Sequence, residues 1–288
     1  MNRTTASSLI TFIVVITIGA LVALAGSQHG RMIGSLPIFA LCVGLAFVIQ
    51  WLVFIPSYMM QTEKFYDLTG GITNTLVILL GTFLSGDIDI RTALLTGVVL
   101  IWAIRLGSFL FNRIHKVGKD SRFDEIKPAF FRFLNAWTIQ GLWITFTLAA
   151  ALAAVTSSVK KDLDAFAIIG FILWLFGFAF EIIADSQKTR FKANPQNNGK
   201  FIQTGLWSKS RHPNYFGEIV LWIGVAVMAL PVLQGWQFAT LISPLFVIFL
   251  LTKVSGLPML EKKADETWGG QEDYESYKKN TPILIPKI

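Results

Sequence analysis

The stretch Arg211-His212-Pro213-Asn214-Tyr215-Phe216-Gly217-Glu218 runs directly into Ile219-Val220-Leu221-Trp222-Ile223-Gly224-Val225-Ala226-Val227-Met228-Ala229-Leu230. A basic, polar loop ends here and an apolar helix long enough to enter a bilayer begins. Proline near the first helical position costs nothing, because that N–H would have no partner within the helix. The free N–H groups and the dipole of a helix start attract anions. Asn214 and Glu218 stand one turn apart on the same face. The stretch reads as a polar, anion-accepting mouth on a membrane helix and points to a phosphate-bearing cofactor.

Outward from that helix the same texture repeats. Of 288 residues, 53% are hydrophobic and only 15% charged, where soluble domains carry roughly a quarter charged residues. The mean hydropathy is +0.57. Eight apolar segments can be marked, over residues 9–26, 36–60, 68–84, 91–111, 130–155, 163–184, 214–233 and 236–253. Each is of a length that suits a membrane crossing. The expected fold is an all-α integral membrane protein, a bundle of about eight transmembrane helices with seven as the alternative, forming one domain over residues 1–288. The third segment, short and glycine-rich at Gly70-Gly71, is expected to tilt or dip. Little more than Gln234-Gly235 separates the last two, which predicts a tight helical hairpin. Arg3, an apolar run and Ala23-Leu24-Ala25 together resemble a secretory signal. That run is longer than an ordinary signal core, so it is read as a membrane helix.

Positive charge is unevenly placed. Loop 112–129 carries Arg113, Lys116, Lys119, Arg122 and Lys127, and loop 185–213 carries Lys188, Arg190, Lys192, Lys200, Lys209 and Arg211. The intervening loops are poor in cations; 156–162 has only Lys160 and Lys161. Eight crossings put the basic loops and both termini on one side, which the positive-inside rule makes cytoplasmic. The net charge of +7 is that excess, so a nucleic-acid partner is not expected. Cys42 is the single cysteine, which excludes an intramolecular disulfide. His29, His115 and His212 show no ligand spacing, and no metal is expected.

Charged groups within membrane spans are functional candidates, because burying them is costly. Trp102, Arg105, Phe109 and Asn112 share one face of the fourth helix. Glu181, Asp185, Lys188 and Lys192 share one face of the sixth, and Asn214, Glu218 and Trp222 one face of the seventh. Interhelical ion pairs and snorkelling arginines would explain any one stripe. Three stripes converging beside one basic loop favour function. Glu63, Tyr66 and Asp67, between the second and third segments, lie beside an apolar interior. Desolvation there raises a carboxyl pKa and keeps the group a proton donor, while a tyrosine can donate to a carbonyl. The tail carries Glu261, Asp273, Tyr274 and Tyr277, ends in an apolar run, and is expected to fold back as a cap. No Walker loop or Gly-x-Gly-x-x-Gly fingerprint is present.

From about residue 101 onward the chain resembles the steroid 5α-reductase family in its bacterial branch. The resemblance rests on Ile-Arg-Leu-Gly (104–107), Lys-Asp-Ser-Arg-Phe (119–123), Ala-Asp-Ser-Gln-Lys (184–188), Thr-Gly-Leu-Trp-Ser (204–208), the 211–218 run, Glu-Asp-Tyr (272–274) and Ile-Pro (285–286). Phe-Tyr-Asp-Leu-Thr-Gly (65–70) adds to it. It implies an all-helical membrane enzyme, NADPH-dependent, that reduces the C4–C5 double bond of a 3-oxo-Δ4 steroid or a similar lipophilic enone. It implies cofactor contacts from Asp185, Asn214, Glu218 and Tyr274, and from Lys192 and Lys200 where the animal enzymes have arginines. Either Asn112 or Arg113 would match the family's cofactor-binding asparagine. Arg105, Arg122, Lys188, Trp207, Arg211, His212 and Tyr215 complete the expected cofactor set, with Trp102 on the substrate. The ketone-binding glutamate falls on Glu63 or Asp67, with Tyr66 standing in for the family's tyrosine. A monomer surrounded by membrane lipids, in a bacterial inner membrane, is the implied setting.

Two rivals share these features. Isoprenylcysteine methyltransferases carry a similar Arg-His-Pro-x-Tyr-x-Gly run and use S-adenosylmethionine, which has no phosphate. The many cations of loops 112–129 and 185–213 favour NADPH. A lipid-binding or transport protein would explain an entrance from lipid, but not polar groups gathered on one side.

Overall fold

The computed structural model describes residues 3–117 and 120–287, and the side chains of these apart from 3, 4, 109–117 and 121. Among the described residues ten α-helices follow in order: α1 (Arg3–Ser27), α2 (Ile38–Met59), α3 (Tyr66–Ser85), α4 (Ile90–Val117), α5 (Phe130–Val155), α6 (Ala165–Ala193), α7 (Pro213–Ala229), α8 (Ile242–Phe249), α9 (Leu257–Trp268) and α10 (Glu272–Asn280). Among the described residues the only sheet is a two-stranded hairpin, Met32–Ile33 with Leu36–Pro37. Eight helical segments are long and apolar enough to cross a membrane, as the hydropathy pattern predicts. The chain gathers into two compact units, one of residues 1–167 with 228–243, the other of 168–227 with 244–288.

In the first unit α5 is the central element. Its residues Leu148 to Val155 are almost wholly buried, and α1, α2 and α3 pack along it. Lipid supplies little hydrophobic force between membrane helices, so close backbone approach through small residues matters. A Cβ on Gly71 would lie 2.9 Å from the Cα of Gly107, and one on Gly70 2.7 Å from Gln140 Nε2, so Gly71 serves contact with α4 and Gly70 contact with α5. The glycine pair does not interrupt the segment: α3 is a continuous 20-residue helix. Polar groups also join helices, with Gln50 Nε2 donating to Thr73 Oγ1 at 2.9 Å and the Thr82 and Thr96 hydroxyls 2.6 Å apart.

Arg91 is the first unit's buried cation, 2% exposed. Its Nη1 donates to Met228 O and its Nη2 to Asp162 O, both at 2.8 Å, and Nη2 pairs with Asp164 Oδ1 at 2.8 Å. One guanidinium thus ties the start of α4 to loop 161–164 and to the chain leaving α7.

In the second unit α6 and α7 meet backbone to backbone. A Cβ on Gly177 would stand 2.5 Å from Gly217 O, one on Gly217 2.6 Å from Gly177 O, and one on Gly224 2.5 Å from Gly170 O. Glycines seven apart on each helix therefore form a seam. Between α7 and α8 the chain makes two 3-10 turns, Leu230–Val232 and Gly235–Leu241, the second with a Gln234–Gln237 capping box and Gly235 at φ +51°. The eighth segment is not one straight helix. It starts as a 3-10 turn over Gly235–Leu241, continues as α8, widens to a π turn over Leu250–Val254, and breaks before α9. At the break a Cβ on Gly256 would meet Leu251 O at 2.2 Å and the Tyr215 ring at 2.9 Å; Pro258 then opens α9.

Candidate functional site

Lys188 and Lys192 follow one another by a turn on the last part of α6. The chain then loops back, and Gly205 at φ +62° opens a 3-10 turn over Gly205–Ser208 that drives Trp207 under the helix. Its indole Nε1 donates to Ala184 O at 3.0 Å, and Gln187 Oε1 accepts from Leu206 N at 2.9 Å. Lys188 Nζ sits 4.4 Å above the Trp207 ring, a cation–π contact. Phe201 forms the hub of an aromatic wall, its ring 5.3 Å from Tyr274, 5.3 Å from Tyr277 and 5.8 Å from Trp268.

These groups enclose a cavity of about 240 Å³. Lys188, Lys192, Lys200, Trp207, Arg211, His212 and Tyr274, all anticipated from the sequence, line it together. Phe201, Glu261, Lys263, Trp268 and Tyr277 also line it and were not anticipated as site residues. Tyr274 gives its hydroxyl to Asp265 Oδ1 at 2.9 Å, and Tyr277 to Trp207 O at 2.7 Å. Burial first, and then for Tyr274 the Asp265 carboxylate, push both phenols well above their ordinary range.

At the start of α7, Arg211 pairs with Glu261 Oε2, and His212 Nε2 lies 2.6 Å from Glu261 Oε1. The imidazole stacks on Tyr215 at 5.7 Å. Burial pushes the His212 pKa down by more than the Glu261 carboxylate lifts it. His212 Nδ1, Arg211 Nε and Asn214 Oδ1 are buried with no hydrogen-bond partner among the described residues. No described residue forms an ion pair with Lys192, Lys200 or Lys263. Unused donors and acceptors beside unpaired cations are what a polar anionic ligand requires.

The tail does fold back. Arg211 N donates to Pro282 O at 2.9 Å, Ser210 Oγ to Leu284 O at 2.8 Å, and Lys287 N to Lys209 O at 2.9 Å. This strap braces the turn that presents Arg211 and His212.

The remaining anticipated residues lie elsewhere. Asp185, Asn214, Tyr215 and Glu218 belong to the same unit but do not line the cavity. Trp102 and Arg105 stand on α4 in the other unit. Arg122, also there, is held by Asp120, its Nε 2.9 Å from both carboxylate oxygens. The side chains of Asn112 and Arg113 lie outside the described residues.

Glu63 corrects an expectation. It is 4% exposed, yet its Oε2 meets Lys127 Nζ at 2.6 Å and its Oε1 accepts from Asp120 N at 2.8 Å. Burial pushes the carboxyl up, but these bonds outweigh burial and hold it below the ordinary range. It is an ionised brace rather than a proton donor. Tyr66 donates to Ala136 O at 3.0 Å and packs on Phe123 and Trp137. Asp67 stands in the first turn of α3.

A pH dependence follows. The stability that Glu63 contributes is complete above the ordinary glutamate pKa of about 4.3. It is lost as pH falls through the lower native value. Lys127→Met should cost roughly 2–3 kcal/mol at neutral pH, by leaving a buried carboxylate short of a charged donor, and should shrink that acid-side loss. Thermal unfolding in detergent between neutral and acid pH checks both; an unaltered acid limb in the variant would show that the pair contributes nothing.

Residues 53–281 match the DUF1295 family, described as a protein of unknown function. The chain is 29% identical over 119 residues to 3-oxo-5-alpha-steroid 4-dehydrogenase 1 of Rattus norvegicus, covering 41% of this chain and 40% of that protein. It is 33% identical over 119 residues to the protein of that name from Macaca fascicularis, with the same coverage. A probable O-methyltransferase, ustE of Ustilaginoidea virens, is 28% identical over 120 residues, covering 36% of this chain and 42% of that protein. The chain spans about two fifths of the length of these relatives. With the family match running from α2 to the end of α10, the chain belongs to the DUF1295 family, and steroid 5α-reductases are among its relatives.

Proposed function

We propose that the chain is an NADPH-dependent membrane reductase that saturates the carbon–carbon double bond of a lipophilic enone, with a 3-oxo-Δ4 steroid as the type substrate. The observation that carries this reading is the cavity of the second unit, where Lys192, Lys200 and Lys263, with no ion-pair partner among the described residues, border an aromatic wall and buried polar atoms with no hydrogen-bond partner there. The lysines would neutralise the phosphates. Phe201, Trp268 and Tyr274 would present faces to a base. At about 240 Å³, just under the roughly 300 Å³ of the smallest ordinary ligand clefts, the cavity suits part of a dinucleotide.

NADPH, when bound, supplies the hydride. The substrate carbonyl would be met by the 63–67 segment. There Tyr66 would be the donor, exchanging the Ala136 carbonyl for the substrate oxygen and stabilising the enolate that forms as the β-carbon takes the hydride; a proton from solvent then reaches the α-carbon and gives the saturated ketone. Glu63, being ionised, holds the 120–127 loop. The enone dissolves in the bilayer that the eight spans cross, and the basic segments face the cytoplasm.

The test uses the purified chain with NADPH and testosterone or progesterone. The expected result is loss of the near-ultraviolet absorbance of the reduced nicotinamide together with a saturated product; no change in either sinks the reading. The O-methyltransferase relative supports a second reading, a methyl transfer from S-adenosylmethionine. Lysines without counterions speak against it, since that cofactor brings no phosphate for them. NADPH should raise the unfolding temperature and S-adenosylmethionine should leave it in place; the opposite pattern favours methyl transfer.

A further inference from the structure

We propose that Glu261 is a positioning residue that withdraws Arg211 and His212 from anion binding and leaves the phosphate groups of the ligand to Lys192, Lys200 and Lys263. This rests on the nucleotide reading above. A carboxylate inside an anion pocket repels phosphate at short range, and Glu261 lines this one. It engages both groups of the helix start, Arg211 Nη1 through Oε2 and His212 Nε2 through Oε1 at 2.6 Å. His212 is buried and its two partners are part-buried, at 7%, 13% and 18% exposure for His212, Arg211 and Glu261.

The Glu261 contact also fixes what His212 can offer. A carboxylate only accepts, so Nε2 carries the hydrogen, and in the neutral imidazole Nδ1 is then an acceptor. Burial, acting against Glu261, holds His212 below its ordinary pKa, so the neutral form prevails at neutral pH. The unpartnered Nδ1 therefore cannot bind a deprotonated phosphate oxygen. It takes an O–H or N–H, as a ribose hydroxyl or the amino group of a base would provide. Arg211 meets Glu261 with one nitrogen of its fork, and its charge is cancelled there. The exposed lysines have no such counterion among the described residues.

The experiment titrates the full chain in detergent micelles with ADP and with NADPH, following tryptophan fluorescence at several salt concentrations. Because salt screens exposed charge most strongly, Lys192→Gln with Lys200→Gln should weaken ADP about tenfold or more at low salt, as expected for loss of charge-assisted bonds, and should flatten the salt dependence. Glu261→Gln should tighten ADP by about tenfold as Arg211 is released, and adding Arg211→Gln should remove that gain. The lysine variant alters exposed side chains only, so it tests the proposal even if the buried variants do not fold. The proposal is overturned if the lysine variant binds ADP like wild type, or if Glu261→Gln weakens ADP. A wild-type chain that binds ADP but not NADPH defeats the redox reading and leaves this division of labour standing; one that binds neither defeats both.

Discussion

Gly217→Ala is expected to lower the unfolding temperature of the purified chain by about 6–12 °C, the shift that roughly 3 kcal/mol of overpacking gives in a chain of this class. The added methyl would sit 2.6 Å from Gly177 O and 2.7 Å from Glu181 N. Both are backbone atoms inside a continuous helix, so no rotamer change relieves the clash and α6 and α7 must move apart. Gly217→Leu should yield no monodisperse protein on size exclusion. Gly97→Ala is the matched control: nothing lies within 4 Å of its would-be Cβ, and alanine is the better helix former, so it should leave stability level or raise it. Equal melting of Gly217→Ala and Gly97→Ala would mean that α6 and α7 do not approach through their glycines.

The second large effect is expected at Arg91. Arg91→Met removes donors from three backbone carbonyls, Lys161 O, Asp162 O and Met228 O, and should cost about 3–5 kcal/mol, at roughly 1–3 kcal/mol for each buried acceptor left without a donor. Arg91→Lys should recover less than half, because one ammonium cannot reproduce a planar fork that reaches Met228 O, Asp162 O and Asp164 in different directions. Asp164→Asn should cost far less, since that carboxylate is 36% exposed and the carbonyl bonds remain. Thermal unfolding read by size exclusion, with limited proteolysis of loop 156–164, measures the order. A methionine variant as stable as wild type would show the guanidinium to be dispensable.

Most of the fold is legible in the sequence because hydropathy is a direct physical signal. A membrane-facing helix must be apolar all along, and the expected 130–155 segment coincides with α5 to the residue. The interruption of the eighth segment is not legible. At the break Gly256 leaves room for the Tyr215 ring, which a Cβ there would meet at 2.9 Å; that neighbour is distant in sequence, and no local pattern announces a π turn. The use of Gly71 is equally hidden: a glycine pair reads as weakness, whereas Gly71 serves a close approach to Gly107 that only packing reveals.

The candidate site divides in the same way. The lysines, Trp207, Arg211 and His212 stand out because they crowd one loop and one helix start. Glu261 does not, since an acid on a late helix gives no sign that it closes on Arg211 fifty residues earlier. Glu63 was read against hydrocarbon alone. Its partner Lys127 lies 64 residues on, and that partner reverses the direction of the pKa shift. Arg91, first in an apolar run, looks like an ordinary snorkelling residue until Met228 O and Asp162 O are seen on its two nitrogens.

Every side chain that lines the cavity comes from one of the two compact units. Substitutions confined to residues 1–167 or 228–243 therefore leave the whole lining as it is, so the grip on what the cavity holds can be inherited unchanged while the rest of the chain varies.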